Sequence, residues 1–495
     1  MLRIMRNLFI KSVIGVTLAV SMVSCGDKWL ETDYHNGIDI DTALDNAANV
    51  GLALNGTYYQ LQTYYFAGNY STTLADIASD IVYWTGNNNH QNNLYQFQYN
   101  ENDNTLYYVW DYGYKVVDNA ARIVNACDRL LGDASGDEAI DLRLYEAEAR
   151  CLRAYASLML VNTFAHQYMV AGTSYGSEPG IVIVDDPIEA YAEVQRASVA
   201  ETYSFIVSDL TSAISLFNQI GGDRGSVNYF NEAAAYGLLA RTYMYMESWS
   251  NAASAAQNAI NASGITSLAY SVDGYTALYD GGDSNWESFF TLGIDGLTNW
   301  SANSCGTLFS TYGYSLSPYL TSLYGEDDCR RPLMTAFDSG ELSYADDYVG
   351  GKFWYGGGNK AIATNYLINA PEMFLIQAEA YANLGQAAQA ADALLVVAKR
   401  NNAITSTADL PSSADGILSF LQEERARELF QEGFRLWDLR RWNVKANLYA
   451  VFAPDIDWMY TNVDAAAIVM PIPADEINAG FGVTQNTGWQ STLPR

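Results

Sequence analysis

The sequence predicts a mainly α-helical fold, in which tetratricopeptide-like helix pairs form a scaffold that carries a loop-rich, irregular second lobe. Two observations lead there. Apolar residues recur at three- and four-residue spacing through several stretches of the 495 residues, and a small–aromatic–small pattern repeats inside them. Between these stretches lie long segments rich in Gly, Asn, Ser, Tyr and Trp. Connections of that length usually carry function or contain small strands.

At the N-terminus, Arg3, Arg6 and Lys11 surround the start of an apolar run from Ser12 to Met22. A membrane span needs about 20 apolar residues, so this run suits a signal-peptide core instead. It ends in Met22-Val23-Ser24-Cys25, which fits a bacterial lipobox. Residues 1–24 are therefore read as a leader, with Cys25 as the acylated first residue of a mature 25–495 domain. Each buried acyl methylene contributes about 0.8 kcal/mol, so several chains would anchor the protein firmly. An ordinary secretory signal with an incidental cysteine is the other reading, although no A-x-A cleavage site competes. The mature remainder has no second apolar run of spanning length.

Helices are expected at 41–63 and 71–83, and then over Tyr108–Leu131, where Val109, Tyr112, Val116, Ala120, Ile123 and Val124 share a face. Asp137–Ala165 continues with Leu142, Tyr145, Ala149, Leu152, Tyr155, Ala156 and Met159. Further amphipathic stretches run at 198–218, 230–262, 371–400 and 415–433. Ala240-x-x-Tyr243 is followed by Ala252 and Ala259, and Ala378-x-x-Tyr381 by Ala390 at the same interval; Leu152-x-x-Tyr155 is a third copy with a larger leading residue. Small residues let paired helices approach while the tyrosine fills the groove beside them. The frame is assigned mainly to 41–165, 198–262 and 371–442. The irregular lobe falls mainly in 264–370 and 443–495, with 84–107 and 166–197 as further insertions.

The 26 Lys+Arg stand against 56 Asp+Glu, a formal charge of −30 that becomes −33 once the three leader cations are removed. Such a field repels nucleic acid and anionic polysaccharide and favours neutral ligands. Cys127, Cys151, Cys305 and Cys329 are too few for a disulfide scaffold. Cys127 and Cys151 lie on neighbouring predicted helices, where either a bridge or two free buried thiols would fit. With only His35, His90 and His166, a histidine-rich metal site is close to excluded. Asp39, Asp41 and Asp45, and likewise Asp185 and Asp186, lack the EF-hand pattern and read as solvated acids. No metal or cofactor is expected.

The charged run Glu424–Trp442 reads as structure. On a helix Glu424 and Arg427, Glu432 and Arg435, and Asp438 and Arg441 are each three apart and pair. There is no Walker loop or dinucleotide fingerprint. A glycosidase would need two carboxylates across a cleft, and among 56 acids the sequence nominates none. No catalytic residue is assigned.

Several motifs together resemble the SusD/RagB family, the surface glycan-binding lipoproteins of Bacteroidetes. After the lipobox, Trp29-Leu30-Glu31 is similar to the family's acidic opening. Glu148-Ala149-Arg150 with Leu152-Arg153-Ala154-Tyr155 resembles its E-A-R-x-L-R-A-Y helix, and Glu379-Ala380 its A-E-A helix. Glu424–Trp442 resembles E-R-x-R-E-L…E-G-x-R-x-x-D-L-R-R-W. Pro471-Ile472-Pro473, Glu476-Ile477 and Gln485-Asn486 resemble the closing P-I-P-x-x-E-I…Q-N-P-G-Y, with Thr487 and Trp489 as departures. The resemblance implies a lipid-anchored protein of polysaccharide utilisation, facing the cell exterior on the outer membrane. Such a protein captures an oligosaccharide or polysaccharide and delivers it to a SusC-like TonB-dependent transporter, acting as its lid. The competing expectations are a surface glycoside hydrolase and a lid subunit for a peptide or another nutrient.

For a glycan, exposed rings should stack on apolar sugar faces with amides nearby. The segment from Tyr83 to Gln91 has that make-up, so Trp84 is expected at the surface with Tyr83 and Asn87 beside it. The resemblance implies ligand contacts in this early loop and in the central irregular region, so the second candidate is Asn299–Asn303, with Trp300 as its ring and Tyr312 and Tyr314 shortly after. The expected ligand contacts are thus Trp84, Trp300, Tyr83, Asn87 and Tyr314. Trp286, in a segment that reads as structural, is weaker.

Overall fold

A computed structural model describes residues 43–86, 88–189, 191–281, 284–296, 299–334, 351–353, 360–451 and 457–495. Cys25 and the lipobox, Asp39, Asp41 and Asn87 lie outside the described residues. Asn46–Arg495 forms one compact unit.

The longer helices are α1 (Ala47–Gln62), α2 (Tyr70–Ile77), α3 (Asn104–Leu130), α4 (Gly136–Phe164), α5 (Val199–Ile220), α6 (Glu232–Tyr245), α7 (Trp249–Ser263), α8 (Ala370–Asn383), α9 (Ala387–Ala398), α10 (Ala414–Leu429) and α11 (Arg435–Trp442). Their starts carry the expected chemistry. Asp103 accepts the Thr105 and Leu106 N–H groups at the head of α3, and Ser198 and Glu201 form a capping box on α5. The helices pack in succession: α3 on α4, α4 on α5, α5 on α6, α6 on α7, α7 on α8, and α8 on both α9 and α10, with α1 against α3 and α4. This mainly-α, tetratricopeptide-like frame is the predicted class.

The repeat pattern marks where helices touch. Ala240, Ala252 and Ala259 on α6 and α7, and Ala378 and Ala390 on α8 and α9, are fully buried, as is Leu152; Tyr155 is buried too. The stretches 230–262 and 371–400 each divide into two helices at a short turn. Closest approach falls at glycines: a Cβ on Gly113 of α3 would lie 2.8 Å from Leu160 of α4.

Short antiparallel strand pairs stitch the irregular segments together. β1 (Val82–Trp84) pairs with β5 (Tyr314–Leu316), and β2 (Met169–Val170) with β3 (Thr173–Ser174). β4 (Ser288–Leu292) pairs with β6 (Asn365–Asn369), and β7 (Lys445–Tyr449) with β8 (Trp458–Asp464). The 71–83 stretch thus ends in a strand, because Val82–Trp84 finds a partner more than 200 residues away.

The charged run is buried, but it is not one helix. It breaks between α10 and α11, where Gln431 and Gly433 take φ of 65° and 79°. A Cβ on Gly433 would sit 2.1 Å from the Thr72 carbonyl oxygen, so only glycine fits. The Asp76 carboxylate accepts the Gly433, Phe434 and Arg435 N–H groups at 3.2–3.3 Å, closing the start of α11. Two expected pairs form: Arg427 reaches Glu424 at 2.8 Å and Arg441 reaches Asp438 at 2.9 Å. The third does not. The break turns Arg435 to Asp80 (2.7 Å) and leaves Glu432 to Lys352. The network extends through Arg425 to Asp438 (2.8 Å), Arg441 to Glu379, and Arg330 to Asp328, Glu424 and Glu428 (each 2.8 Å). Cys127, Cys151, Cys305 and Cys329 are buried free thiols, so Cys127 and Cys151 are not bridged. Among the described residues no helix is long and apolar enough to cross a membrane.

Candidate functional site

Where α1 ends, the chain doubles back through Thr63–Gly68. The Ala67 N–H returns to the Leu61 carbonyl, and the Phe66 and Gly68 N–H groups to Thr63. A Cβ on Gly68 would lie 2.1 Å from the Gln62 carbonyl oxygen, so the turn requires glycine there. The Asn365 amide holds the Ala67 and Gly68 carbonyls at 3.0 and 2.9 Å, and the Asn69 amide reaches the Asn303 carbonyl at 2.7 Å. With its backbone tied inward, the turn leaves Tyr64 and Tyr65 half-buried at the surface.

These two tyrosines lie at the centre of a run of rings. Tyr59 near the end of α1 is 51% exposed and stands 6.0 Å from Trp300; Trp300 is 5.9 Å from Tyr64. Tyr64 and Tyr65 are 3.9 Å apart, and Tyr65 stacks on Tyr108 (4.1 Å) and Tyr112 (4.8 Å), one turn apart on α3. Tyr70 packs edge-on to Tyr64 at 5.7 Å. Trp300 is half-buried; its indole N–H donates to the Gln62 carbonyl at 2.9 Å, fixing its edge. Lys115 lies 4.2 Å over the Tyr112 ring while paired with Asp111 at 2.7 Å. Together these rings form a continuous, rigid aromatic platform assembled from three separate stretches of chain.

Three of its phenols are pushed further towards the neutral form. Burial, then the Tyr65 and Tyr108 hydroxyls and Asp103, push Tyr70 up to about 12. Burial and neighbouring tyrosines likewise raise Tyr64 and Tyr108. Each therefore offers both an O–H donor and an acceptor near neutral pH. At the Tyr59 end the platform borders a cavity of about 220 Å³, where Asn55, Gln62, Asn228 and Thr291 place amide and hydroxyl groups next to Tyr59 and Tyr229. Behind it the buried Glu148 accepts from the Tyr58 hydroxyl (2.9 Å) and pairs with Arg224 (2.7 Å), and burial lifts its carboxyl to about 7. Arg224 also reaches Asn55 at 3.2 Å and covers the Tyr229 ring at 4.3 Å.

Of the nominated residues that the structure describes, only Trp300 falls on this platform. The surface position expected for Trp84 does not hold: it is 4% exposed, paired with Tyr314 across β1 and β5, with the two rings stacked at 5.7 Å and 11°. Tyr95 meets it edge-on at 5.9 Å. Tyr83 and Tyr314 are buried as well, and the Tyr314 hydroxyl donates to the His90 carbonyl. The polar make-up of this segment serves internal bonding. Asn88 donates to the Tyr312 carbonyl, and Gln91 is buried against Asn69 and Thr73. Trp286 is 51% exposed, while Glu287 beside it is buried and paired with Arg400.

Tyr59, Tyr64, Tyr65, Tyr70 and Tyr108 were not singled out from the sequence, and Tyr112 was read as part of the apolar face of its helix. A signal was present: the doublets Tyr58-Tyr59, Tyr64-Tyr65 and Tyr107-Tyr108. Adjacent residues on a helix point about 100° apart, so the two members of a helical doublet face different surroundings. Tyr58 is buried and Tyr59 exposed.

Comparison with known proteins agrees with this architecture. A sequence profile of the SusD family matches residues 353–489, and a second profile, described as starch-binding associating with outer membrane, matches residues 28–244. No curated protein sequence matches significantly. A crystal structure of a candidate sugar-binding protein from Bacteroides vulgatus superposes with a TM-score of 0.79 at 24% identity, covering 90% of this chain and 100% of that one. SusD superfamily proteins from Bacteroides vulgatus and Bacteroides thetaiotaomicron follow at TM-scores of 0.76 and 0.74, each 22% identical. They cover 90% and 89% of this chain and 99% of their own. These structures establish the shared fold. With profile matches over both its N-terminal and C-terminal parts, the chain belongs to the SusD/RagB family, a family of glycan-binding proteins associated with the outer membrane.

Proposed function

We propose that the chain captures an oligosaccharide or polysaccharide on the Tyr59–Trp300–Tyr64–Tyr65–Tyr108–Tyr112 platform and delivers it to a SusC-like TonB-dependent transporter. In this reading it is held on the outer membrane, facing the cell exterior, by acyl chains on Cys25. The observation that carries the reading is the platform itself: flat, partly exposed rings in an unbroken run, with phenol groups along it and amides at one end. Rings stack on the apolar faces of sugars, and the phenol and amide groups meet their hydroxyls. The charge of −30 favours a neutral glycan.

Binding is favoured over hydrolysis by where the nearest raised carboxyl sits. Glu148 has the lifted proton affinity a general acid needs, but it is fully buried and bonded to Tyr58 and Arg224. It cannot reach a glycosidic oxygen.

The test is retention of the soluble mature chain, starting after Cys25, on a panel of neutral and anionic polysaccharides. One neutral glycan should retain it without release of shorter sugars. Trp300→Ala or Tyr65→Ala should each cost about 1–2 kcal/mol, roughly 5- to 30-fold in Kd. No retention on any glycan, with tight co-purification of the transporter, would shift the cargo to a peptide or another nutrient. Appearance of shorter sugars would make the chain a hydrolase.

A further inference from the structure

A second cavity, of about 400 Å³, opens between α10, α11 and the β7–β8 hairpin and shares no residue with the platform. Its volume lies within the range of small-ligand sites. Its aromatic walls are Tyr319, Trp442, Tyr449 and Trp458. Three of these are held in place. The Trp442 indole N–H donates to Glu379 at 2.6 Å, and one face of its ring lies 4.4 Å from the Arg441 guanidinium. The Tyr449 hydroxyl accepts the Tyr319 N–H at 3.0 Å, which ties those two walls together. Trp458 differs: it sits 4.6 Å from Tyr449 at the start of a largely exposed strand and is itself 38% exposed. A large indole left open beside a cavity gains from covering an apolar surface.

The polar lining is of a matching kind. Ser419, Gln422 and Asn447 supply a hydroxyl and two amides, and Asn447 is positioned by accepting the Asn462 N–H at 2.9 Å. The four charged residues balance, Asp80 and Glu423 against Arg435 and Lys445, with Asp80 and Arg435 already paired at 2.7 Å. In a chain of charge −30, a locally balanced cavity of rings, amides and a hydroxyl suits an uncharged, hydroxyl-rich ligand with flat apolar faces.

We infer that this cavity is a second, independent sugar site, taking one or two uncharged sugar units of the same polysaccharide that lies on the platform. The inference rests on the glycan reading of the platform. Two sites on one chain strengthen hold on a long polymer through effective concentration and add nothing for a ligand too short to reach both.

The experiment uses the mature chain without its acyl anchor, with Trp458→Ala, Trp458→Phe and Trp300→Ala. Neutral polysaccharides are probed by affinity electrophoresis and the corresponding hexasaccharides by calorimetry. The expected result is two hexasaccharides bound per chain and one in either alanine variant, with retention on the polymer weakened at least tenfold in Trp458→Ala. Trp458→Phe, which keeps a flat ring, should retain two. One hexasaccharide per chain, with Trp458→Ala within twofold of the parent on the polymer, overturns the second site and leaves the platform standing. A loss in Trp458→Ala that Trp458→Phe does not restore also overturns it. Binding lost in Trp458→Ala but unchanged in Trp300→Ala supports the cavity and overturns the platform. No binding to any neutral polysaccharide overturns both.

Discussion

Replacing Glu424 by glutamine tests the buried charge network at one atom pair's resolution. Glu424 is 1% exposed and bonds Arg330 and Arg427, each at 2.8 Å. Burial alone would raise its carboxyl; the two guanidinium groups outweigh that and hold it near 2, against 4.5 unperturbed. A folded pKa below the unfolded one stabilises the protein above the unfolded value, and the benefit is lost as pH falls towards 2. That depression corresponds to about 3 kcal/mol at pH 7, and at pH 3 the same linkage leaves about 1 kcal/mol. That is comparable to the roughly 3–5 kcal/mol lost when one partner of a buried pair is removed. Urea unfolding of both proteins, followed by tryptophan fluorescence, should therefore show Glu424→Gln costing about 3 kcal/mol at pH 7 and about 2 kcal/mol less at pH 3. Comparing the variant with its parent cancels the other titrating carboxylates. Two results would refute the reasoning. A cost below about 1 kcal/mol at pH 7 would mean that Asp328 and Glu428 satisfy Arg330 unaided. An equal cost at both pH values would mean that the lost contact, and not its charge, matters.

Gly433→Ala should destabilise by at least about 3 kcal/mol in the same assay. It adds left-handed strain at φ 79° to a Cβ 2.1 Å from the Thr72 oxygen, and an alanine variant of parental stability would contradict that geometry. Trp84→Ala should cost about 3–5 kcal/mol as a buried aromatic truncation, while the fraction that remains folded keeps the parental glycan affinity. A selective loss of affinity without loss of stability would return Trp84 to the binding surface.

How much was legible in the sequence differs from element to element, for physical reasons. The α6–α7 and α8–α9 pairs could be read because their contacts are local: Ala240 and Ala252 lie twelve residues apart, both buried, on helices that pack together across a short turn. Asp438 and Arg441 could be paired for the same reason. Arg435 could not, because its partner Asp80 lies 355 residues away and is reached only through the break at Gly433. Trp84 was misplaced because polarity was taken as a sign of exposure. Asn88 and Gln91 are polar for the sake of internal bonds. Trp300 was reached because the family resemblance implies ligand contacts in the central irregular region, where its segment sets a large ring among amides. Of the tyrosines around it, Tyr59 and Tyr108 lie in expected helix stretches whose periodicity does not mark them, and Tyr64, Tyr65 and Tyr70 fall between the expected helices 41–63 and 71–83.

The ties beneath the platform also set an order of events in the chain's maturation. The Thr63–Gly68 turn is fastened by Asn365, and Trp300 is seated on the Gln62 carbonyl, so a surface begun near residue 59 is finished by residues about 240 and 300 positions later. Loops that long close late. A chain whose later residues have not yet folded would present the tyrosines of α1 and α3 without the indole between them or the amide beneath. Sugar recognition thus becomes a property of the finished chain alone, and retention on glycan can report completed folding.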